Sequence, residues 1–227
     1  MIDLSGCGYL GGLPCASGGS NAYSFSGESY IGKGLASSEQ NGGGGGGGQQ
    51  NGQFGSIGGG GGGYGSPRNN SDPNTYSKGN RPGGKGGSTF GADEIKVMYM
   101  GSGGGAGSPY SDGQQKGKGG NGGGLILIVA REFTCEGKIL ANGGDGENAL
   151  ENTYGSGGGG GSGGSIKIYA LLLKNKGQIF ANSGRGGNWG NKANAPETGS
   201  KGGNGRCKIV EDFSQGKKLA IHGLNIN

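Results

Sequence analysis

The chain has 227 residues, of which 66 are glycine and only 6 are proline, and its formal net charge is +5. Collagen requires glycine at every third position and abundant proline, whereas the glycine runs 42–48, 58–63 and 157–161 break any triplet. The 20 lysines and arginines are scattered, whereas nucleic-acid binding calls for a basic patch with interleaved aromatic residues. Collagen is excluded, and nucleic acid is not an expected partner.

Residues 1–120 form the first predicted segment, in which short strands alternate with glycine tracts. Residues 2–6 and 94–100 are predicted strands because apolar residues recur there at strand spacing. Glycine has no Cβ, so proline-poor glycine tracts can pack as closely spaced polyproline II strands that exchange hydrogen bonds. No substantial α-helix is expected, since each glycine inside a helix costs about 0.5–1 kcal/mol.

The second predicted segment, residues 121–227, is built from a repeated unit. Residues 123–146 and 163–186 agree at eleven positions at an offset of 40 residues, and a degraded third copy, 203–226, follows with a slip of one residue. Each unit predicts a strand of about eight residues, a turn and a short second strand. Period-2 alternation predicts an apolar ladder between successive units, made of Ile126, Ile128, Ile139, Ile166, Ile168, Ile179 and Ile209.

The predicted fold is therefore all-β. It is a β-helix-like or solenoid-like scaffold, or a stack of β-sheets, with long glycine-rich polyproline II loops. Both segments are expected to pack as one globular unit, with aromatic residues such as Tyr64 and Phe90 anchoring the glycine tracts.

The second unit resembles a known class of repeat. Its sequences GGSIKI at 163–168 and NKGQIFAN at 175–182 look like one turn of the β-helical repeats of filamentous-haemagglutinin-type adhesins. The resemblance covers residues 120–226 and implies a right-handed parallel β-helix in an extracellular, non-enzymatic protein used for adhesion or as a fibre. The glycine tracts of residues 1–120 are similar in composition to the glycine-rich polyproline II domains of anaplastic-lymphoma-kinase-type receptors and of phage tail-fibre adhesin tips.

Four cysteines allow three disulfide pairings. Cys7 and Cys15 lie close in sequence around a predicted glycine turn, and a bridge from Cys135 to Cys207 would join different units. The alternative is four buried free thiols. Disulfides are favoured, because a scaffold with little core gains most from covalent links in an oxidising compartment. The spacings do not suit zinc, since there is no CxxC pair.

Signals for catalysis and for cofactors are weak, and the chain is predicted not to be an enzyme. The single histidine, His222, lies close to the C-terminus, and neither a P-loop nor a dinucleotide fingerprint at a strand-to-helix turn is present. No metal or other cofactor is expected. Asn69 begins a glycosylation sequon. Aromatic residues in the glycine loops are candidate loop anchors or, where exposed, ligand contacts: Tyr64, Tyr110, Tyr154 and Trp189.

The leading hypothesis is an extracellular or cell-surface structural protein that self-associates into a fibre or coat through open strand edges. The alternative is a monomeric adhesin or receptor-binding module whose aromatic loops recognise a glycan or a cell-surface protein. Apolar runs such as 125–130 are too short to span a bilayer, so membrane insertion is not expected. Exposed apolar residues at both ends of the stack would favour assembly, whereas one aromatic patch at a tip would favour binding.

Overall fold

The computed structural model describes residues 1–15, 23–49, 58–66, 83–108, 117–150, 155–190 and 199–211. This part of the chain contains β-strands and no α-helix, so the all-β prediction is confirmed for it. The described residues do not show a β-helix or solenoid. The strands are β1 (Ile2–Asp3), β2 (Leu125–Cys135), β3 (Lys138–Leu140), β4 (Ser165–Asn175), β5 (Gln178–Phe180) and β6 (Arg206–Glu211).

These strands form two parallel three-stranded sheets. The long sheet has the order β2-β4-β6, and the short sheet has the order β1-β3-β5. After each of the long strands β2 and β4, a two-residue turn leads into a short strand of the other sheet. Ile126 lies opposite Ile166, an offset of 40 residues, and Ile168 lies opposite Ile209, an offset of 41 residues. The third unit is thus displaced by one residue relative to the first two.

The hydrophobic core combines side chains of both sheets. Ile166 and Ile168 of the long sheet are completely buried, and Ile139 of the short sheet is nearly so. Alternate residues of a strand face the same side, so the isoleucines at positions 126, 166 and 168 meet the short sheet while their neighbours face away from it. Full burial of each such side chain contributes about 1.5–3 kcal/mol.

Much of the remaining described chain is a bundle of extended glycine-rich segments joined by backbone hydrogen bonds. The bonds recur every three residues: the N–H groups at positions 117, 120 and 123 donate to the carbonyls at positions 156, 159 and 162. Three residues per turn is the period of a polyproline II helix, which makes no internal hydrogen bonds. Each segment therefore leaves its N–H and C=O groups free to bond with neighbours on several sides.

The segment 155–164 lies at the centre of the bundle and is bonded to six neighbouring segments. Its N–H groups donate to segments 101–108, 141–149 and 199–205, and its carbonyls accept from segments 58–65, 117–124 and 181–190. Such close packing requires glycine: a Cβ on Gly159 would lie 2.1 Å from the carbonyl oxygen of Gly60. The bundle thus replaces side-chain packing with backbone hydrogen bonds.

Residues 94–100 do not form the predicted strand. Ile95 is completely buried and has a φ of 49°, a conformation outside the extended region and uncommon for a β-branched residue. Its N–H donates to the carbonyl of Ala92, and its own carbonyl accepts a 2.6 Å hydrogen bond from Lys167 Nζ. These contacts fold the segment into a turn held by the central strand of the long sheet. β1 is likewise shorter than predicted, since Gly6 turns the chain at a φ of 67°.

Candidate functional site

The residues of the predicted ladder all lie in the two sheets. In the long sheet, Ile128, Ile168 and Ile209 stand opposite one another on β2, β4 and β6. In the short sheet, Ile139 and Ile179 are opposite each other, and Ile2 of β1 continues this row. Ile2 was not among the predicted ladder residues, because it lies outside the repeated units from which the ladder was predicted. Ile126 and Ile166 are also opposite each other on β2 and β4, but the next position in this row, on β6, is Cys207 instead of an isoleucine.

The two sheets are displaced by one strand relative to each other. β1 precedes β3 in the short sheet, yet no described strand pairs with the outer edge of β2. At the opposite end, β6 follows β4 in the long sheet, and no described strand pairs with the outer edge of β5. Each end of the stack is therefore a step, with one sheet extending beyond the other.

All four outermost strands carry a large apolar side chain that is about two-fifths exposed. Ile2 on β1 and Leu127 on β2 are 44% exposed, Phe180 on β5 is 40% exposed and Ile209 on β6 is 38% exposed. The central strand β4 combines Ile168, which is completely buried, with Leu172, which is 47% exposed, so exposed apolar residues are not confined to the outermost strands. Apolar surface thus lies at both ends of the stack.

Along the outer edge of β2, backbone groups that bond to no described strand accompany this apolar surface. The carbonyl of Gly124 accepts a hydrogen bond from Ser165, so it points toward β4. Backbone groups alternate in direction along a strand, which turns the N–H groups of Leu125, Leu127 and Val129 away from β4. The outer edge of β2 is therefore a row of donors and acceptors beside exposed leucines, the arrangement to which another strand adds most readily.

Tyr64 is a buried anchor between the glycine bundle and the long sheet. Its side chain is 1% exposed, and its hydroxyl is 2.6 Å from Ser165 Oγ. Its ring packs against Phe90 at a centroid distance of 4.8 Å, and the Arg206 guanidinium lies 4.8 Å from the ring centroid. Arg206 also donates to Asp93 at 3.1 Å. Arg206 was not predicted to take part, because no local pattern places it beside Tyr64.

Other candidate residues are half-buried or lie outside the described residues. Trp189 is half-buried in segment 181–190. Tyr110, Tyr154, Asn69 and His222 lie outside the described residues, so their predicted roles stay predictions. None of the four candidate aromatics is therefore placed by the structure as an exposed ligand contact.

The predicted disulfides are not formed, since all four cysteines are free thiols. Cys7 and Cys15 flank an extended segment rather than a turn: Gly8 bonds to Gly122, and Gly12 bonds to Gly104. At about 3.1 Å per residue, eight residues of extended chain span roughly 25 Å, far beyond the roughly 7 Å limit between bridged Cα atoms.

Cys135 and Cys207 are separated along the long sheet. Cys135 stands opposite Asn175 at the end of β4, whereas Cys207 stands opposite Ile166 near its beginning. The nine residue steps from position 166 to position 175 span about 30 Å at a strand rise of about 3.3 Å per residue. A bridge between these units is therefore excluded by distance.

Three titratable groups near these features have displaced pKa values. Burial raises the pKa of Tyr9, and the nearby Tyr99 adds to the rise. Burial of its sulfur also raises the pKa of Cys207, partly offset by a hydrogen bond from the Ala181 backbone. Hydrogen bonds from Ser5 lower the pKa of Asp3, which is fully exposed. Each shift reports local packing or hydrogen bonding.

A groove of about 700 Å³ runs along the glycine bundle on a surface separate from the strand edges. Its walls include the exposed side chains of Leu10 and Phe25. Its carboxylates already accept hydrogen bonds from the protein: Glu28 from the N–H of Leu10 at 3.3 Å, and Glu147 from the N–H of Lys118 at 3.3 Å. The groove offers apolar contacts and a mixed-charge rim.

In the described part of the chain, no three His, Cys, Asp or Glu residues are grouped so that they could hold a metal ion. The same residues include no helix with the length and apolar character needed to cross a membrane. Comparison of the chain with protein-family models, with curated proteins and with solved structures finds no match.

Proposed function

We propose that this protein is a non-enzymatic structural subunit that self-associates through its strand edges into a fibre or surface coat. The observation that carries the proposal is the outer edge of β2, with which no described strand pairs and on which Leu127 is 44% exposed. Exposed apolar residues also lie at the other end of the stack, on Phe180 and Ile209. Open edges of this kind are templates for pairing with another chain unless charge or a covering segment blocks them.

The proposed subunit is a stacked β-repeat scaffold with polyproline II connections, of the β-helical type found in the adhesins that its repeats resemble. Support comes from the 40-residue offset between β2 and β4 and from the alternation of the chain between two parallel sheets. The three-residue period of the backbone hydrogen bonds supports the polyproline II connections. A glycine bundle held together by backbone hydrogen bonds suits a mechanical role.

An extracellular or cell-surface location is part of the proposal. Its support is the resemblance of the repeats to those of surface adhesins. The disulfides that would have added to this support are absent from the structure, so the location rests on the repeats alone.

The test is the oligomeric state of the purified protein, measured by light scattering and negative-stain electron microscopy over a range of concentrations. Wild type is expected to form large assemblies or fibres. Leu127→Lys places a charge on the β2 edge and is expected to reduce assembly strongly. Leu35→Lys is the matched control, because Leu35 is 71% exposed in the glycine-rich part. A wild-type protein that stays monomeric at all concentrations would overturn the proposal.

A second candidate function is a monomeric adhesin, and the groove beside Phe25 favours it. Phe25 is 40% exposed and Leu10 is 55% exposed on its walls, which would suit stacking and apolar contact with a sugar or a peptide. A glycan and cell-surface protein array probed with wild type and Phe25→Ala tests it: binding that the variant loses supports recognition through the groove.

A further inference from the structure

We infer that successive copies of this chain join head to tail, with each end supplying the strand that the other end lacks. In this arrangement β2 of one copy pairs with the outer edge of β6 of the preceding copy. At the same junction β1 pairs with the outer edge of β5. The inference rests on the proposed self-association and adds to it the identity and direction of the joined edges.

The complementary shape of the two ends is the main argument. At one end the short sheet begins with β1, one strand before the long sheet begins with β2. At the other end, among the described strands, the long sheet finishes with β6, one strand after the short sheet finishes with β5. When one end is placed against the other, β6 occupies the position before β2 and β1 occupies the position after β5. Both sheets then continue from one copy into the next.

The side chains at the junction are compatible when the existing register is continued. Leu125 and Arg206 both align with Ser165 of β4. Continuing this register places Leu125 of the incoming copy opposite Arg206, and its Leu127 opposite Lys208. In the short sheet, Asp3 and Phe180 both align with Leu140, so Asp3 of the incoming copy falls opposite Phe180. No like charges meet at these positions.

The same register continues both apolar rows. Ile128 of the incoming copy lies beside Ile209, and its Ile2 lies beside Ile179. Ile2 and Ile209 are the ladder residues with large exposed fractions, 44% and 38%. The junction would cover both, removing apolar surface from water at each end of the subunit.

Strand direction distinguishes this junction from a two-fold dimer. All four strand pairings of the described sheets are parallel, and a head-to-tail junction keeps them so. A two-fold dimer through β2 would instead pair β2 with itself in antiparallel fashion and would leave the β5 and β6 edges open. A head-to-tail interface whose rotation does not close grows into a filament, as a fibre subunit requires.

Cross-linking between variants that each carry one added exposed cysteine tests the junction; the buried Cys15 and Cys135 are kept. The two exposed thiols are first removed by Cys7→Ser and Cys207→Ser. Leu127→Cys and Lys208→Cys are then introduced on separate chains, which are mixed, assembled and oxidised with copper phenanthroline. Non-reducing gels of the mixture are expected to show a disulfide-linked dimer, and gels of either variant alone are expected to show none. A second mixture, of Asp3→Cys and Phe180→Cys chains, tests the short sheet in the same way.

Leu125→Cys mixed with Lys208→Cys is the matched control, because it shifts the cysteine by two residues on the same strand face. Diagonal positions lie about 7–8 Å apart, too far for efficient disulfide formation, so this mixture is expected to give far less dimer. Circular dichroism and cooperative unfolding establish that each variant is folded.

The outcomes separate the inference from the proposed function. If Leu127→Cys chains link to themselves, copies meet through β2 alone, which overturns the head-to-tail junction but leaves self-association standing. If light scattering finds only monomers, the proposed function fails together with the junction.

Residues 216–220 (GKKLA) match GQIFA at 177–181 and lie outside the described residues. If they occupy the β5 edge of their own chain, the Asp3→Cys and Phe180→Cys mixture gives no dimer, which overturns the interlocked junction.

Discussion

Tyr64 and Ser165 are joined by a 2.6 Å hydrogen bond between their hydroxyl groups, across 101 residues of sequence, and both residues are buried. Ser165 begins β4, and its Oγ also donates to the carbonyl of Tyr99 at 2.7 Å. Tyr64 follows directly after the glycine run 58–63. One buried polar contact therefore fixes the glycine bundle against the central strand of the long sheet.

Replacing Tyr64 by phenylalanine is expected to lower the free energy of unfolding by about 1–2 kcal/mol, since a buried hydrogen bond is lost while the ring packing is kept. Urea unfolding monitored by circular dichroism measures the change. Tyr30→Phe is the control: its ring belongs to the same aromatic cluster but is 46% exposed, and we expect less than about 0.5 kcal/mol. Equal losses in both variants would show that the Tyr64 hydroxyl has no special role.

The sequence predicts the sheet pairing well because the relevant signal is local and repeated. Alternating isoleucines mark β2 and β4 as strands, and the 40-residue offset indicates which residues face each other; Ile126 does lie opposite Ile166. Only the extent of the strands differs, since β2 and β4 have 11 residues each rather than about eight. Periodicity defines which side chains face inward, but tertiary pairing decides where a strand ends.

The features that the sequence does not predict depend on contacts distant in the chain. Residues 94–100 have strand-like composition, yet the bond from Lys167 to the Ile95 carbonyl and the positive φ of Ile95 hold them in a turn. The six neighbours of segment 155–164 come from six different parts of the chain, and glycine runs carry no side-chain pattern to identify them. Similarly, cysteine spacing does not reveal that an extended segment separates Cys7 from Cys15.

The packing of the glycine bundle predicts a sharp difference between two glycine-to-alanine substitutions. In Gly159→Ala the new Cβ would lie 2.1 Å from the carbonyl oxygen of Gly60, so backbone must move. We expect a loss of about 3 kcal/mol or more, at the upper end for overpacked sites. In Gly137→Ala the Cβ would meet only the Met1 nitrogen at 3.9 Å, and stability should be unchanged or slightly higher. Thermal and urea unfolding of the pair provide the measurement, and a tolerated Gly159→Ala would contradict the packing described here.

The free cysteines predict a specific pattern of thiol reactivity. Cys7 and Cys207 are exposed, and Cys15 and Cys135 are buried. A thiol reagent is expected to modify the exposed pair in the folded protein and all the cysteines in urea. Although Cys207 is exposed as a residue, partial burial of its sulfur raises its pKa, so Cys207 should react more slowly than Cys7 near pH 8. The difference should narrow as the pH increases.

Peptide mapping by mass spectrometry identifies which thiols react, with Cys7→Ser and Cys207→Ser as controls for assignment. A reducing agent is expected to leave the melting temperature unchanged, since no disulfide contributes to stability. A marked fall in melting temperature on reduction would instead show that disulfides form in the protein.

The raised pKa of Tyr9 predicts a loss of stability at alkaline pH. Burial keeps Tyr9 protonated in the folded chain at pH values where it ionises in the unfolded chain. Its contribution to stability is therefore complete below the usual tyrosine value near 10 and is lost as the pH rises through the folded value. The urea midpoint of wild type should fall above about pH 10, and that of Tyr9→Phe should fall less. Lysine ionisation affects both proteins alike and cancels in the comparison, so parallel decline of the two midpoints would mean that Tyr9 is not the cause.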